Sequence, residues 1–211
     1  MHPEAAARVI ALATDYLAAT RAGEGPVSSP LTPAALARRF DEPLPRAGHP
    51  LADVVERVAR DVLSDVNRLY HPMYLGHQVS APLPAAVWME SVTAAVNNSA
   101  AVFEMSPAAT MLEHRVVRWM CELAGYGPAS GGTMTSGGTE ATFTALLAAR
   151  AAVLPDAWER CVGERPPVVV CGEHAHYAVA RAVGQLGLGT SNRIVIPSRG
   201  WRMHPAALAA R

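Results

Sequence analysis

From Gly125 to the end of the chain, short apolar runs alternate with helical patterns, and glycine or proline separates them. This alternation is typical of an α/β sheet, in which strands and helices follow each other along the chain. The run at 168–171 is continuously apolar, as expected for a strand covered on both faces. We therefore predict an α/β fold with strands at 132–136, 168–171 and 193–196, and with helices at 139–153, 177–186 and from 205 onward.

The first half of the chain has helical patterns instead, because its apolar residues recur at three- and four-residue spacing. Pro84 and Pro107 stand where a proline is well tolerated, in the first turn of a helix. Ser106 is predicted to cap the helix that Pro107 begins. His71 and Pro72 are expected to end the helix before them, since the residue before proline disfavours helical geometry. The predicted helices cover 3–20, 34–40, 51–70, 84–103 and 107–124.

Charge and composition exclude several classes of protein. The 18 basic and 18 acidic side chains cancel, which leaves no electrostatic basis for binding nucleic acid or an anionic membrane. No apolar run approaches the roughly 18 residues needed to span a bilayer, and the first residues lack the regions of a signal peptide.

The three cysteines, Cys121, Cys161 and Cys171, form no CxxC pair, which indicates a reducing compartment. We predict a cytoplasmic protein.

The basic residues are all arginine, and lysine does not occur in the sequence. Codon bias in a chain rich in alanine and proline accounts for the preference itself. The chemical consequence holds whatever the origin: no side-chain amine within these 211 residues is available for a Schiff base.

The strongest local motif lies at 135–142, which reads Thr-Ser-Gly-Gly-Thr-Glu-Ala-Thr. Small residues between a predicted strand and a predicted helix let a ligand approach the backbone, and the helix start offers free N–H groups. Ser136 and Thr139 add hydroxyl donors to the turn at Gly137 and Gly138, so a phosphate is the predicted ligand. The segment matches neither a Walker loop nor a GxGxxG turn. An ordinary tight turn remains the alternative.

A second candidate site follows the predicted strand at 168–171, where His174 and His176 lie two residues apart. Ligands of open α/β sheets bind at the carboxyl ends of the strands. The pair has three interpretations: a metal site, a histidine lying flat on a planar cofactor, and a structural histidine. No cluster of carboxylates or thiolates completes a metal site, so none is predicted.

The loop at 71–78 is the third candidate, since it contains Tyr74, His77 and Gln78 between two long predicted helices. Polar aromatic side chains in such a loop are typical of a pocket wall or an interface. A structured connector is an equally good interpretation.

These segments together resemble the pyridoxal-phosphate decarboxylases that act on aromatic amino acids, glutamate, histidine and diaminobutyrate. The resemblance extends from about His49 to the end of the chain, and the first segment is most similar to bacterial diaminobutyrate-type members. The matching residues are 71–77, Asn97-Asn98, 104–107, Thr110, Glu113, Trp119, 135–142, 145–150, 175–177 and 187–189.

The resemblance implies a fold-type-I α/β architecture and pyridoxal 5'-phosphate as the cofactor. Residues 1–106 would form an N-terminal helical segment that contains the substrate loop, with 104–107 near a dimer interface. Residues 107–211 would form the first part of the large cofactor-binding domain. Its turn would hold the phosphate and its histidine would stack on the pyridine ring as a catalytic residue. The implied cofactor-binding residues are Ser136, Gly137, Gly138, Thr139 and His176, and the implied substrate-binding residues are Tyr74, His77 and Gln78.

One departure from the family pattern shapes the functional expectation. The family places an aspartate for the pyridine nitrogen and a lysine for covalent cofactor attachment beyond the strand that ends at Ile196, and neither is present before Arg211. We therefore expect a split amino-acid decarboxylase, a hetero-oligomer built on a dimer, whose second polypeptide supplies both residues. A truncated relative, a non-catalytic scaffold subunit, and another reaction of the same scaffold, such as oxidative deamination, are the alternatives.

Overall fold

The chain divides after Asn97. The computed structural model describes residues 2–211, and these form one unit that ends at Asn97 and a second unit, Asn98–Arg211. The predicted boundary between residues 106 and 107 stays a prediction.

The first unit is built from helices. Three of its four α-helices begin with proline in the first turn, where the missing N–H has no intrahelical partner to lose. The predictions at 3–20 and 34–40 are confirmed, and Gly23 ends the first helix in a left-handed conformation with φ of 76°. The helices are α1 (Pro3–Ala22), α2 (Pro33–Arg39), α3 (Leu51–Arg57), which continues as a π-helical turn (Val58–Val62), and α4 (Pro84–Val96).

The third helix is shorter than its apolar pattern predicts, since helical structure ends at Val62 rather than near Tyr70. Two long-range interactions account for the difference. The Arg68 amide donates to the Val27 carbonyl at 2.9 Å. The Asp65 carboxylate accepts from two serine hydroxyls and one arginine. The Arg68 amide therefore bonds to the segment between α1 and α3 instead of continuing the helix, and Ser29 and Arg39 of the same segment hold Asp65.

The fourth helix also ends before its predicted limit at residue 103. Asn97 adopts a left-handed conformation with φ of 47°, and its amide donates to the Thr93 carbonyl at 2.9 Å. Asparagine tolerates this conformation better than other residues with a Cβ, so it stops the helix as glycine commonly does.

The second unit places a parallel strand pair beside helices. Strand β1 (Val169–Gly172) pairs with β2 (Arg193–Ile196) in parallel, with Val169 opposite Arg193. A short antiparallel hairpin, β3 (Ser198–Arg199) and β4 (Arg202–Met203), follows and was not predicted. The helices are α5 (Pro107–Leu123), α6 (Gly138–Val153), α7 (Ala157–Arg160), α8 (Ala178–Gln185) and α9 (Pro205–Ala209). The predicted strands at 168–171 and 193–196 and the predicted helices are confirmed within one or two residues, except that α9 covers only part of its predicted stretch.

The strand predicted at 132–136 is wrong, because these residues form no ladder. A strand requires a neighbour for its N–H and C=O groups, and none of residues 2–211 provides one here. One side chain of α5 bonds to the segment instead, and another bonds to the residues just before it. Glu113 accepts from the Met134 amide at 3.1 Å, and Arg118 donates to the carbonyls of Gly127, Pro128 and Ser130.

Ser106 occupies the N-cap position of α5 as predicted, but its hydroxyl does not cap the helix. The residue is buried, and its carbonyl accepts from the Thr110 hydroxyl at 2.8 Å. The proline at the next position therefore determines the start of this helix more than the serine side chain does.

The core of the second unit is small and lies where α6 packs on α8. Val183, Leu186 and Leu188 are buried there, and the partly buried side chains of Phe143, Leu146, Leu147, Val162 and Val169 pack against them. Each strand of the β1–β2 pair has a hydrogen-bonded neighbour on one side only within the described chain. Parallel sheets are normally larger and covered on both faces, so this pair has the character of part of a sheet.

Among residues 2–211, no helix is both long enough and apolar enough to cross a membrane.

Candidate functional site

The start of α6 presents unpaired backbone donors. Gly137 is the N-cap and gives no side-chain cap, and the first bond back to it comes from the Ala141 amide at 3.0 Å. The amides of Gly138, Thr139 and Glu140 have no hydrogen-bond partner in the part of the chain that the structure describes. Together with the helix dipole, these three N–H groups favour an anion at this position.

The approach to these amides is open. A Cβ added at Gly137 or Gly138 would meet no atom within 4 Å. A cleft of about 450 Å³ lies beside the turn, and Thr139, which is half-buried, contributes to its wall. A phosphate group therefore has room at this turn. Within residues 2–211, three unpaired amides and the unpaired Thr139 hydroxyl are available to bind it.

Ser136 is arranged differently from its neighbours in the turn. Its amide donates to Glu140 Oε2 at 2.8 Å, and its hydroxyl donates to the same oxygen at 2.6 Å. The Ser136 hydroxyl, and after it the Ser136 amide, hold the pKa of the Glu140 carboxyl below its ordinary value. Both donors of Ser136 are thus occupied within the chain.

Sequence reasoning missed the role of Glu140. The available signal is an acidic residue in the first helical turn, four residues after a serine, which resembles a capping box. Its interaction with Ser136 depends on the side-chain rotamer that the structure reveals.

His176 lies just beyond the carboxyl end of β1, where the Ala175 amide donates back to the Gly172 carbonyl at 3.0 Å. The exposed imidazole accepts the Ala178 amide at Nδ1, at 3.2 Å, which leaves the proton of the neutral ring on Nε2. Its ring centroid is 4.1 Å from that of Tyr177, at an interplanar angle of 35°. The bond at Nδ1 and the Tyr177 ring fix the orientation of the imidazole, and the ring can receive a planar group.

His174 and His176 contact different aromatic side chains. It packs on Trp201 with ring centroids 4.7 Å apart, and its Nε2 lies 3.5 Å from Glu173. The described residues contain no group of three histidine, cysteine or acidic side chains placed to hold a metal ion.

In the first unit, Tyr74 and His77 form a pair. The Tyr74 hydroxyl lies 3.0 Å from His77 Nδ1, and it accepts the His77 amide at 3.3 Å. The Tyr74 ring folds over Gly76, where an added Cβ would lie 2.6 Å from the hydroxyl oxygen. Gln78 is exposed, and its side chain makes no hydrogen bond within residues 2–211. The structure thus joins two of the three predicted substrate residues.

The predicted site residues belong to both units. The turn from Ser136 to Thr139 and His176 are in the second unit, and the Tyr74–His77 pair is in the first. Their roles stay predictions.

The sequence and the fold of the chain both match known proteins. Residues 33–211 match the family described as the pyridoxal-dependent decarboxylase conserved domain. The chain belongs to this family, and the predicted resemblance is confirmed.

Individual relatives agree with this assignment. L-2,4-diaminobutyrate decarboxylase of Rhizobium meliloti is 30% identical over 170 residues, which cover 80% of this chain and 33% of that protein. The crystal structure of mouse CSAD is 25% identical with a TM-score of 0.88, and covers 99% of this chain and 44% of that one. The glutamate decarboxylase domain of a Vibrio parahaemolyticus protein is 25% identical with a TM-score of 0.86, and covers 97% and 46%.

The fold is therefore that of the fold-type-I pyridoxal-dependent decarboxylases, as predicted, and the chain corresponds to their N-terminal portion. It spans about a third of the length of the curated relative and less than half of the two solved chains.

Proposed function

We propose that this chain provides the phosphate-binding and ring-facing part of a pyridoxal-phosphate-dependent amino-acid decarboxylase, and that a second polypeptide provides the lysine. The observation that supports this proposal most is the start of α6. Three free amides and an open approach meet there, in a chain of this family. The complete absence of lysine requires that the covalent attachment comes from outside these 211 residues.

When bound, pyridoxal phosphate supplies a ring that accepts the electrons of the breaking Cα–carboxylate bond. The proposed contribution of α6 is to hold the phosphate end. The amides of Gly138 and Thr139 and the Thr139 hydroxyl donate to phosphate oxygens, and the helix dipole adds a favourable field. Since Ser136 gives both donors to Glu140, we assign it a supporting position rather than a direct contact.

His176 would then face the ring. Its Nδ1 accepts the Ala178 amide, so the imidazole keeps one orientation and Nε2–H stays available to donate. An imidazole fixed in this way can limit the movement of a planar group stacked on it. The proposed role is mainly geometric, with Nε2 able to hold a proton near the reacting atoms.

The Tyr74–His77 pair is the proposed substrate-side element. A phenol and an imidazole joined at 3.0 Å can donate to or accept from the polar groups of an amino acid. Two similar proteins carry the name L-2,4-diaminobutyrate decarboxylase. The proposed reaction class is decarboxylation of an L-amino acid.

Two features of the structure support a partner chain. The β1–β2 pair leaves strand edges without neighbours in the described chain, and unpaired edges favour the addition of further strands. Large apolar side chains are also widely exposed, among them Leu75 at 92% and Trp158 at 82%. Surface of this kind is typical of an interface. The proposed assembly is a hetero-oligomer built on a dimer.

The proposal also places the protein in the cytoplasm. Cys121, Cys161 and Cys171 are free thiols, one of them exposed. Free, exposed thiols are usual in a reducing compartment.

Isolation of the native protein tests the proposal directly. The mass of the purified assembly, its cofactor absorbance and its release of carbon dioxide from amino acids are measured together. A second, lysine-containing polypeptide with a bound cofactor and carbon dioxide release is the expected result. A single polypeptide that continues past Arg211 and contains the lysine would contradict the two-chain proposal. A well-folded assembly without affinity for pyridoxal phosphate would favour a scaffold subunit.

A further inference from the structure

An acidic side chain stands where an anion is proposed to bind. Glu140 belongs to the first turn of α6, and its amide is one of the three free donors. A carboxylate near a phosphate is unfavourable by charge alone. A favourable contribution of Glu140 elsewhere in the turn would offset this unfavourable charge.

The geometry of Glu140 suggests such a contribution. In an ordinary capping box the acid reaches back to the amide of the N-cap residue. Here it reaches one residue further, to the amide and the hydroxyl of Ser136, both at a single carboxylate oxygen. The two glycines of the turn are bracketed between these interacting residues. Gly137 is fully extended, with φ of 170° and ψ of 172°. A Cβ added to it would meet no atom within 4 Å.

A turn with so few contacts of its own has many accessible conformations, because glycine restricts the backbone least. The bonds from Ser136 to Glu140 hold the residue before the two glycines to the first turn of α6, beside the bond from the Ala141 amide to the Gly137 carbonyl. Thr135 contributes only a hydroxyl bond to the Gly137 carbonyl at 3.3 Å. Without the Glu140 carboxylate, the amides of Gly138 and Thr139 would have to be ordered by the ligand itself, at a cost in affinity.

We propose that Glu140 is a positioning residue, which holds Ser136 so that the free amides of α6 are preorganised for the phosphate group. The inference rests on the proposed function, since it concerns the same turn. Ser136 then links Glu140 to the turn and does not contact the ligand. The depressed pKa of the Glu140 carboxyl agrees with an ionised acceptor of two hydrogen bonds.

A purely electrostatic role predicts the opposite sign. If Glu140 acted mainly by repelling the phosphate, each variant that removes its charge would bind the phosphate more tightly. If it positions the turn, Glu140→Ala binds more weakly, and Glu140→Gln keeps an oxygen that can accept from Ser136 and loses less. The order of the wild type, Glu140→Gln and Glu140→Ala in affinity for pyridoxal phosphate therefore distinguishes the two roles.

The test compares pyridoxal phosphate with pyridoxal, which lacks the phosphate, on the whole protein in its native assembly. Dissociation constants are measured from the cofactor absorbance for the wild type, Glu140→Ala and Glu140→Gln. Glu159→Ala is the matched control, because Glu159 is also a first-turn acid, in α7, and its carboxylate makes no hydrogen bond within residues 2–211.

We expect Glu140→Ala to weaken binding of pyridoxal phosphate about tenfold, as the loss of a charge-assisted hydrogen bond does. Glu140→Gln should weaken it less, and neither variant should alter pyridoxal binding. Equal or tighter binding of pyridoxal phosphate by Glu140→Ala would overturn the inference, as would a parallel loss of pyridoxal binding in Glu140→Gln. A wild type that binds neither compound would refute the proposed function instead.

Discussion

Tyr74 and Gly76 show how one residue without a side chain can shape a site. The tyrosine ring occupies the space that a Cβ at Gly76 would need, at 2.6 Å from its hydroxyl oxygen. The same hydroxyl pairs with His77. Gly76 therefore allows the Tyr74–His77 pair to form.

Gly76→Ala should displace the Tyr74 ring and break this pair without affecting the proposed phosphate-binding turn at 136–139. We expect the KM for the amino acid to rise several-fold while the affinity for pyridoxal phosphate stays unchanged. Steady-state kinetics and a cofactor titration measure the two effects. Gly48→Ala is the control, since a Cβ there meets nothing within 4 Å. An unchanged KM for Gly76→Ala would show that the pair lies outside the substrate site.

Thr139→Val tests the Thr139 hydroxyl at the proposed phosphate-binding turn, residues 136–139. Removal of one hydrogen bond to a charged group should cost about 1.5 kcal/mol, or about tenfold in cofactor affinity. Thr142→Val is the control in the same helix, because its hydroxyl donates to the Gly138 carbonyl at 2.8 Å and is not available to a ligand. Equal cofactor affinity in the two variants would remove Thr139 from the proposed site.

Substitutions of His176 distinguish a stacking role of the imidazole ring from a chemical one. If the ring mainly stacks on the cofactor, His176→Phe should retain more cofactor binding than His176→Ala, although turnover falls in both. Cofactor spectra and turnover rates are compared for the two variants. Full activity of His176→Ala would make this residue structural only.

At the scale of secondary structure, helix starts followed from the sequence more reliably than helix ends. Proline marks the first turns of α1, α2, α4 and α5, and a local rule is sufficient there. The end of helical structure at Val62 depends on bonds between residues distant in the chain, such as Arg68 to Val27. The spacing of apolar residues along a helix does not reveal hydrogen-bond partners that are distant in the chain.

Strand predictions failed where a partner strand was missing. Residues 168–171 and 193–196 were correctly predicted because they pair with each other. The stretch at 132–136 has similar local preferences but no ladder neighbour among residues 2–211, and its Met134 amide donates to Glu113 of α5 instead. At the candidate site, motif position selected Gly138, Thr139 and His176, and their roles stay predictions. The interaction of Glu140 with Ser136 required the side-chain conformation.

Asp65 should make the connector around α2 sensitive to acid. Hydrogen bonds from the Ser29 and Ser64 hydroxyls, and then Arg39, hold the pKa of its carboxyl below the ordinary value. A carboxyl with a lowered pKa in the folded state stabilises that state above its unfolded pKa, about 3.9. This stabilisation is lost as the pH falls through the lower folded value.

We therefore expect Asp65→Asn to be less stable than the wild type at neutral pH and to lose this part of the acid dependence. Hydrogen exchange at the Arg68 amide reports the effect locally, because this amide bonds to Val27 in the same connector. Asp41→Asn is the control in the same unit, since Asp41 is exposed and its carboxylate has no bonding partner in the described chain. Identical exchange in Asp65→Asn and the wild type would contradict this account.

For the whole molecule, we propose that the cofactor-binding residues are divided between two polypeptides. This chain is proposed to provide the phosphate-binding turn, the ring-facing imidazole of His176 and the Tyr74–His77 pair, and it contains no lysine. The open strand edges and exposed apolar side chains agree with a large obligate interface, which commonly buries more than about 2,000 Å². Separate expression should then give poorly folded material, and co-expression with the partner should restore a cofactor-binding assembly.

Borohydride reduction of the native assembly with pyridoxal phosphate, followed by peptide mapping, tests this claim most directly. Reduction fixes the cofactor on the amine that holds it. We predict a pyridoxyl group on a lysine of a second polypeptide, with every internal side chain of these 211 residues unmodified. A reduced adduct on any internal side chain of this chain, or on a lysine that is part of the same continuous polypeptide, would contradict the account.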